Sequence, residues 1–492
     1  MSERSRRGRG KQATPARRRG RAVYLLAGVA VLGLAGLAAV AAAIEHVGVA
    51  PRTLAPYVEK RSSGHNPTIV GAGLFASRTM MEMDRGPAPA QPAVLPAALG
   101  VQPRAAGGAD AGGIQVATPD ALRAALQRVQ PGDVITLLPG TYRFFNKVLD
   151  ADRPGREGAP ITVRAARPGS VRIEFDLQEG FRVTAPWWRF ENLDIRGVCA
   201  TDTYCEHAFH VVGAARHFAS VNNAIADFNA HFKINGAGDD FPDDGLIEAN
   251  TLFNTHVRDT ANPVTPIDLV AASRWTIRAN VIKDFIKGAG DGISYGAFAK
   301  GGGQANLFEG NLVWCEHELA GRRGQRVGLS FGGGGTGYAY CRDRRCITEQ
   351  QGGIMRGNLI AACSDVGVYL NSAADSRIED NTLVDTTGID VRFASSSARL
   401  DGNLVDGPIR SRDGGLLHLG DNETASVWPS YVGRHPVRAL FADPRRGDFT
   451  WSGKAPQRQG GRPGRDLCTG KPVRAYGAFD DFSACRRAPA QS

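Results

Sequence analysis

Asp268, Tyr369 and Arg392 each stand between two apolar residues, in Ile267-Asp268-Leu269, Val368-Tyr369-Leu370 and Val391-Arg392-Phe393. A carboxylate can hold a proton or a cation. A phenol can give or take a proton when a neighbouring cation steadies its anion, and a guanidinium can grip a carboxylate with two parallel hydrogen bonds. His210, Lys233, Ser330 and His418 have the same kind of neighbours and extend the set. Alternation with period two marks a half-buried strand, so all seven side chains would project outward. On one face they would serve acid–base chemistry on an acidic ligand, or its binding. Tyr369 and Arg392 are the catalytic candidates of this column. Lys233, Asp268, Ser330 and His418 are its ligand-binding candidates.

A second cluster runs Lys287-Gly-Ala-Gly-Asp291-Gly, then Lys300, Glu316 and Arg326, and leads into Gly332-Gly-Gly-Gly-Thr-Gly. Glycine lets backbone amides approach a ligand closely. The run lacks the Gly-Lys-Ser/Thr ending of a nucleotide-phosphate loop. Lys300 and Arg326 flank the column as basic walls and join the catalytic candidates, and Asp291 joins the ligand-binding ones. Asp239, Asp240, Asp243 and Asp244 crowd four carboxylates into six residues. Such oxygens suit Ca2+, while a solvated acidic turn is the plainer reading. Trp187 and Trp188 are either sugar-stacking platforms or core beside Phe190 and Leu193.

An Asn recurs at the pitch needed to stack these strands. Asn192, Asn223, Asn250, Asn280, Asn311, Asn358, Asn381 and Asn403 are 31, 27, 30, 31, 47, 23 and 22 residues apart. Most lie between apolar segments, as in Ile-Arg-Ala-Asn280-Val-Ile and Ile-Glu-Asp-Asn381-Thr-Leu. Asp268 precedes its Asn by 12 residues, Tyr369 by 12 and Arg392 by 11. A strand in phase with a buried Asn predicts a coil whose turns stack about 4.8 Å apart, with Tyr369 and Arg392 on adjacent turns. Stacked Asn side chains would satisfy amides that the coil buries at its corners. The interval of 47 holds an insertion that includes the glycine run and the Cys341 to Cys346 loop. Such insertions project from a solenoid and often wall a binding site. Thr118, Pro119 and the apolar face Leu122, Ala125, Leu126 and Val129 predict a helix that caps the first turn.

The formal net charge of +10 sits mostly in residues 1–21, a basic tail with nine Lys or Arg against one Glu. Ala22 to Ile44 then carries no charge, long enough to cross a hydrocarbon core of roughly 30 Å. Arginines before it and none immediately after place the amino terminus in the cytoplasm and the bulk of the chain outside. The expected anchor is a retained helix in the inner membrane, with a cleaved signal at Ala41-Ala42-Ala43 as the alternative. With the basic tail on the cytoplasmic side, no nucleic-acid partner is expected. Residues 45–112 read as a Pro- and Ala-rich spacer, with a short helix between Pro67 and Met83. Residues 113–455 read as the β-helix, and 456–492 as a carboxy-terminal extension. All eight cysteines follow the apolar segment, which outside the cytoplasm implies disulfides. Cys199 with Cys205 and Cys341 with Cys346 would close short loops. Cys315 with Cys363 would bridge neighbouring turns, and Cys468 with Cys485 would tie down the carboxy terminus.

Ala121-Leu-Arg-Ala-Ala-Leu, Pro131-Gly-Asp-Val-Ile-Thr-Leu and Pro139-Gly-Thr-Tyr resemble the opening of bacterial right-handed β-helix proteins of the pectin lyase-like fold. These include chondroitinase-B-like and alginate lyases. Phe441-Ala-Asp-Pro-Arg-Arg-Gly-Asp-Phe resembles the segment that closes many of them. The resemblance implies an all-β fold, a right-handed single-stranded parallel β-helix with an amino-terminal capping helix, here preceded by one transmembrane helix. It also implies an acidic polysaccharide as substrate, often with Ca2+ at the site. The family's Lys-Ser-x-x-Asn turn and Arg-His-Gly signature are absent, so its catalytic Lys and Arg do not carry over. β-Elimination beside a uronate carboxylate is the leading expectation. It needs donors for the carboxylate, a base for the C5 proton and an acid for the departing oxygen. A C5-epimerase, a hydrolase using Asp268 and Asp291, and a non-catalytic polysaccharide-binding or guiding scaffold are the alternatives.

Overall fold

The computed structural model describes residues 16–103, 113–333, 335–460 and 464–486. The chain divides into two units, residues 1–49 and 50–492. In the first, a helix spans Ala16–Val47, and Ala27–Val47 is long and apolar enough to cross a membrane.

The second unit is a right-handed parallel β-helix. Its three long sheets hold 12, 10 and 11 strands, and each turn of the coil gives one strand to each sheet. The sequence dictates the coil at its corners. Before most rungs of the Asn ladder stands a residue in the left-handed region, such as Ala249 (φ 55°), Ala279 (φ 55°), Gly310 (φ 61°) and Asp380 (φ 52°). This residue turns the chain, and the Asn that follows ties the corner to the next turn. Asn280 Nδ2 donates to Asn311 Oδ1 at 3.0 Å, Asn311 Nδ2 to Asn358 Oδ1 at 2.9 Å, and so on to Asn422. Asn192 is not a rung. It holds the turning position itself (φ 59°), and Leu193 fills the rung, its N–H donating to Asn223 Oδ1 at 2.8 Å.

Inward residues of successive strands stack in files. Phe181, Phe209 and Phe232 lie parallel with ring centroids 5.2 and 5.3 Å apart, the offset geometry that aromatic rings favour. Helix Pro119–Leu126 closes the first turn as expected, with the Thr118 hydroxyl accepting from Ala121 N–H and Leu122, Ala125 and Leu126 buried. The cysteines pair 199–205, 315–363, 341–346 and 468–485.

The stretch read as a spacer is largely structured and packs on the coil. Helices Pro51–Ser62 and Pro67–Arg85 form a pair. Arg52, only 2% exposed, joins Asp84 at 2.5 Å and Asp385 of the coil at 2.7 Å. The coil's strands end at Thr424, and the Phe441 segment does not cap its end. Phe441, Phe449, Phe479 and Phe482 instead cover the outer face of the 11-stranded sheet, against Leu312, Trp314 and Leu359.

Candidate functional site

The 10-stranded sheet carries the outward column. Strand pairing sets Asp150, Arg182, His210, Lys233, Asp268, Phe298, Ser330, Tyr369, Asp390 and Arg410 side by side. Lys233, Asp268, Ser330 and Tyr369 are thus in the register that period two requires. Arg392 is displaced by two residues and pairs with Asn371, so it shares the face but not the row. The sequence admits both Ile389-Asp390-Val391 and Val391-Arg392-Phe393 as apolar–polar–apolar triplets. Phe393 leaves the strand at φ 71°, which decides for the first. Asp390 is therefore the residue that the period-two reading overlooked, held by Arg410 and Arg412 at 2.7 Å each.

Two groups of side chains form on this face. In the first, Lys233 Nζ lies 2.8 Å from Asp268 Oδ2, with the Asp268 side chain only 7% exposed. Lys300 extends from the next strand and lays its Nζ 4.4 Å over the Phe298 ring. Burial pushes the Lys300 ammonium below the usual lysine range. Asp268 opposes that shift and Lys233 adds to it. Among the described residues no carboxylate oxygen is in ion-pair contact with Lys300. Glu206, which was not foreseen, borders this group; burial raises its carboxyl, while an Asn262 hydrogen bond and the nearby Lys233 pull it back. His207 is lowered to about 4 by burial, so its imidazole is neutral at physiological pH. His210 bridges Glu179 and Asn235 at 2.9 Å each. Only the strand pairing brings Glu206 and His207 here, because both precede the period-two stretch.

In the second group the Tyr369 hydroxyl oxygen accepts from Arg392 Nη1 at 3.2 Å and from Asn371 Nδ2 at 3.3 Å, while Arg392 Nε donates to Asp413 at 2.6 Å. Tyr369 and Arg392 therefore meet, as the Asn register predicts. The Ser330 strand separates this group from the Phe298 strand under Lys300, two steps or about 10 Å.

Ser330 is buried, and its hydroxyl donates to the Gly332 carbonyl at 2.5 Å. The glycine-rich insertion passes over the face here, and a Cβ on Gly333 would stand 3.2 Å from Lys300 Cδ. The insertion is pinned from the far side by Arg342, which joins Asp243 at 2.7 Å and covers the Phe241 ring at 4.3 Å. The long interval thus builds a wall beside Lys300.

Other candidates lie elsewhere. His418 is on the 12-stranded sheet beside Arg399, and so outside the groove, which the 10-stranded sheet carries. Arg326 is no wall: it is 1% exposed and binds Glu316 Oε1 through Nε at 2.9 Å, with Arg85 on the same oxygen at 2.8 Å. Asp291 is exposed, bonded to Lys287 at 2.7 Å, and stands seven residues before Phe298, which faces Asp268. At about 3.3 Å per residue the two carboxylates are roughly 20 Å apart along the sheet. A glycosidase pair needs about 5–10 Å. Trp188 is core, its indole N–H donating to the Arg153 carbonyl at 2.7 Å, and Trp187 stacks on His217.

The acidic loop does not fit a calcium cage. Asp243 is paired with Arg342 and Arg274, Asp244 with Arg274, and Asp239 with Arg344. Guanidinium groups fill the places that a cation would take. Among the described residues the carboxylates and imidazoles that converge closely enough for a metal are Asp284, His317 and Glu318, where Lys283 Nζ already contacts Asp284 at 3.1 Å and Glu318 at 2.7 Å.

No protein-family model matches the chain. Pectate lyase L of Dickeya dadantii (strain 3937) is 31% identical over 90 residues, covering 16% of this chain and 21% of that protein. Pectate lyase L of Dickeya chrysanthemi is 29% identical over 114 residues, covering 19% and 27%. The chain thus spans only about a quarter or less of these curated relatives. Among solved structures, the pectate lyase Pel9A superposes with a TM-score of 0.50 at 13% identity, over 75% of this chain and 96% of that one. A rhamnogalacturonan lyase gives 0.41 at 14% identity, over 64% and 87%. The chain is a right-handed parallel β-helix, the fold it shares with the Pel9A structure.

Proposed function

We propose that the protein is an extracytoplasmic polysaccharide lyase, cleaving an acidic polysaccharide by β-elimination beside a uronate carboxylate. One observation carries the reading: Lys300 is a desolvated lysine without an ion-pair partner among the described residues, on the open face of a β-helix and beside a second cation. Such a lysine gives up its proton more readily than an exposed one and can act as a base. Its neutral amine takes the C5 proton, the C5 electrons form the C4–C5 double bond, and the C4–O bond breaks toward the open side, where water protonates the departing oxygen. Tyr369, Asn371 and Arg392, about 10 Å along the coil, hold a neighbouring sugar. The disulfides and the apolar helix Ala27–Val47 support a membrane-tethered enzyme acting outside the cytoplasm.

The test offers a panel of acidic polysaccharides to the purified chain and follows the ultraviolet absorbance of the unsaturated uronate. Wild type should raise it, and Lys300→Met should not. Exchange of the C5 proton with deuterium without new absorbance would identify an epimerase. Binding with neither signal would identify a scaffold.

A further inference from the structure

We propose that Lys233, carried by Asp268, takes the place of a divalent cation in this groove: its ammonium receives the substrate carboxylate, and elimination proceeds without a metal. The inference rests on the lyase reading above and adds the group that neutralises the charge.

An elimination beside a carboxylate needs positive charge on that carboxylate, since the electrons released at C5 flow toward it. A calcium ion supplying that charge would require six to eight oxygens. The groove does not converge that many. Among the described residues Asp268 and Glu206 interact with Lys233 and Glu349 with Lys300, and Asp268 Oδ2 is already spent on Lys233 Nζ at 2.8 Å. The other Asp268 oxygen is buried without a partner, a single ligand where a cage is needed. Asp239, Asp243 and Asp244 of the acidic loop, whose oxygens would suit calcium, are paired with arginines. A dication would also face the Lys233 ammonium, which is close enough to Lys300 to disfavour its protonation.

What the groove does hold is a fixed, quarter-exposed ammonium. Lys233, Asp268 and Phe298 lie side by side on three adjacent strands. Lys233 leans onto Asp268, and Lys300 leans back over Phe298 of its own strand. The two ammonium-bearing chains thus end over adjacent strands, which run about 5 Å apart. C5 of a uronate bears both its proton and its carboxylate, so one nitrogen can take the proton while the other faces the carboxylate. An ammonium has three donors, and the Asp268 contact uses one. Lys233 performs a second task here: its charge adds to the effect of burial in disfavouring the Lys300 ammonium, against the pull of Asp268.

The experiment uses the full chain in detergent after treatment with EDTA, with short galacturonate and mannuronate oligomers as probes. Binding is measured by calorimetry and elimination by absorbance. The expected result is binding and turnover unchanged by added CaCl2, with no calcium bound in a titration of CaCl2 alone. Lys233→Met should weaken oligomer binding at least tenfold and move the rise of rate with pH to higher pH. A merely structural lysine would not shift that profile. Because Lys233→Met strands a buried carboxylate, Lys233→Met with Asp268→Asn restores the fold and should still bind weakly. Calcium bound at one ion per chain and lost in Asp268→Asn overturns the inference. So does turnover only with CaCl2, or wild-type affinity in the double variant. Oligomer binding that depends on Lys233 without any elimination would uphold the carboxylate site and refute the lyase reading instead.

Discussion

Replacing Asn311 by Ala removes one rung from the middle of the corner ladder. Asn311 is fully buried and makes four side-chain hydrogen bonds. Its Oδ1 accepts from Asn280 N–H at 3.1 Å and Asn280 Nδ2 at 3.0 Å, and its Nδ2 donates to the Ile277 carbonyl and Asn358 Oδ1 at 2.9 Å each. Without it the Asn280 backbone N–H is stranded at a dry corner, costing about 2 kcal/mol. The other three bonds contribute about 0.5–1 kcal/mol each, so the loss should be roughly 4 kcal/mol. Asn422 ends the ladder half-buried, receiving Asn403 N–H at 3.1 Å and Asn403 Nδ2 at 2.8 Å. Water can replace it, and Asn422→Ala should cost only about 1 kcal/mol. Urea unfolding followed by circular dichroism measures both through the shift in midpoint. An Asn311→Ala loss below about 1 kcal/mol, or equal losses at the two positions, would refute the ladder as a source of stability.

Burial pushes the Glu316 carboxyl up, but Arg326 and Arg85 outweigh it and hold it below the usual range. Its folded pKa is depressed, so its stabilisation is present above the unfolded value near pH ~4.3 and is lost as pH falls through the folded one. Glu316→Gln should cost about 3 kcal/mol at pH 7, and less in acid, because it takes a buried carboxylate away from Arg326 and Arg85, leaving Arg85 only Asp385 at 3.6 Å among the described residues; equal costs at pH 7 and pH 3 in urea titrations would contradict this. Reducing or replacing Cys315–Cys363, whose partners are 48 residues apart, should lower stability by about 4 kcal/mol, read as the thermal midpoint with and without the bridge. Since Lys300 must be neutral to take a proton and its pKa is lowered, the rate should rise with pH and level off before an ordinary lysine would titrate. Lys300→Arg, which stays charged, should drop turnover about 100-fold or more while still binding substrate, and a flat pH profile in wild type would remove Lys300 as the base.

Much of the coil is legible in the chain because its determinants are local. Period two and an Asn recurring every 22 to 31 residues, with one interval of 47, predict stacked turns, and the stacking puts Tyr369 beside Arg392. The four disulfides follow from short loops and from the Asn register. What failed was local pattern without a sheet assignment. His418 has the same apolar neighbours as His210, yet each turn holds three strands, and period two does not say to which sheet a strand belongs. Arg326 reads as a basic wall until the fold buries it with Glu316, a partner supplied by another part of the chain. The acidic loop reads as a solvated turn with a weaker case for a metal, and Arg342, 99 residues away, closes on Asp243.

The sequence by itself therefore determined the repeat, its corners and its outward faces, since these depend on neighbours within a dozen residues. Only the tertiary structure decided which outward residues share a groove, which charges are already spent, and that Lys300 stands desolvated beside Lys233 and Asp268. Burial and charge pairing are set by residues a turn or more away, and no short stretch of sequence contains them.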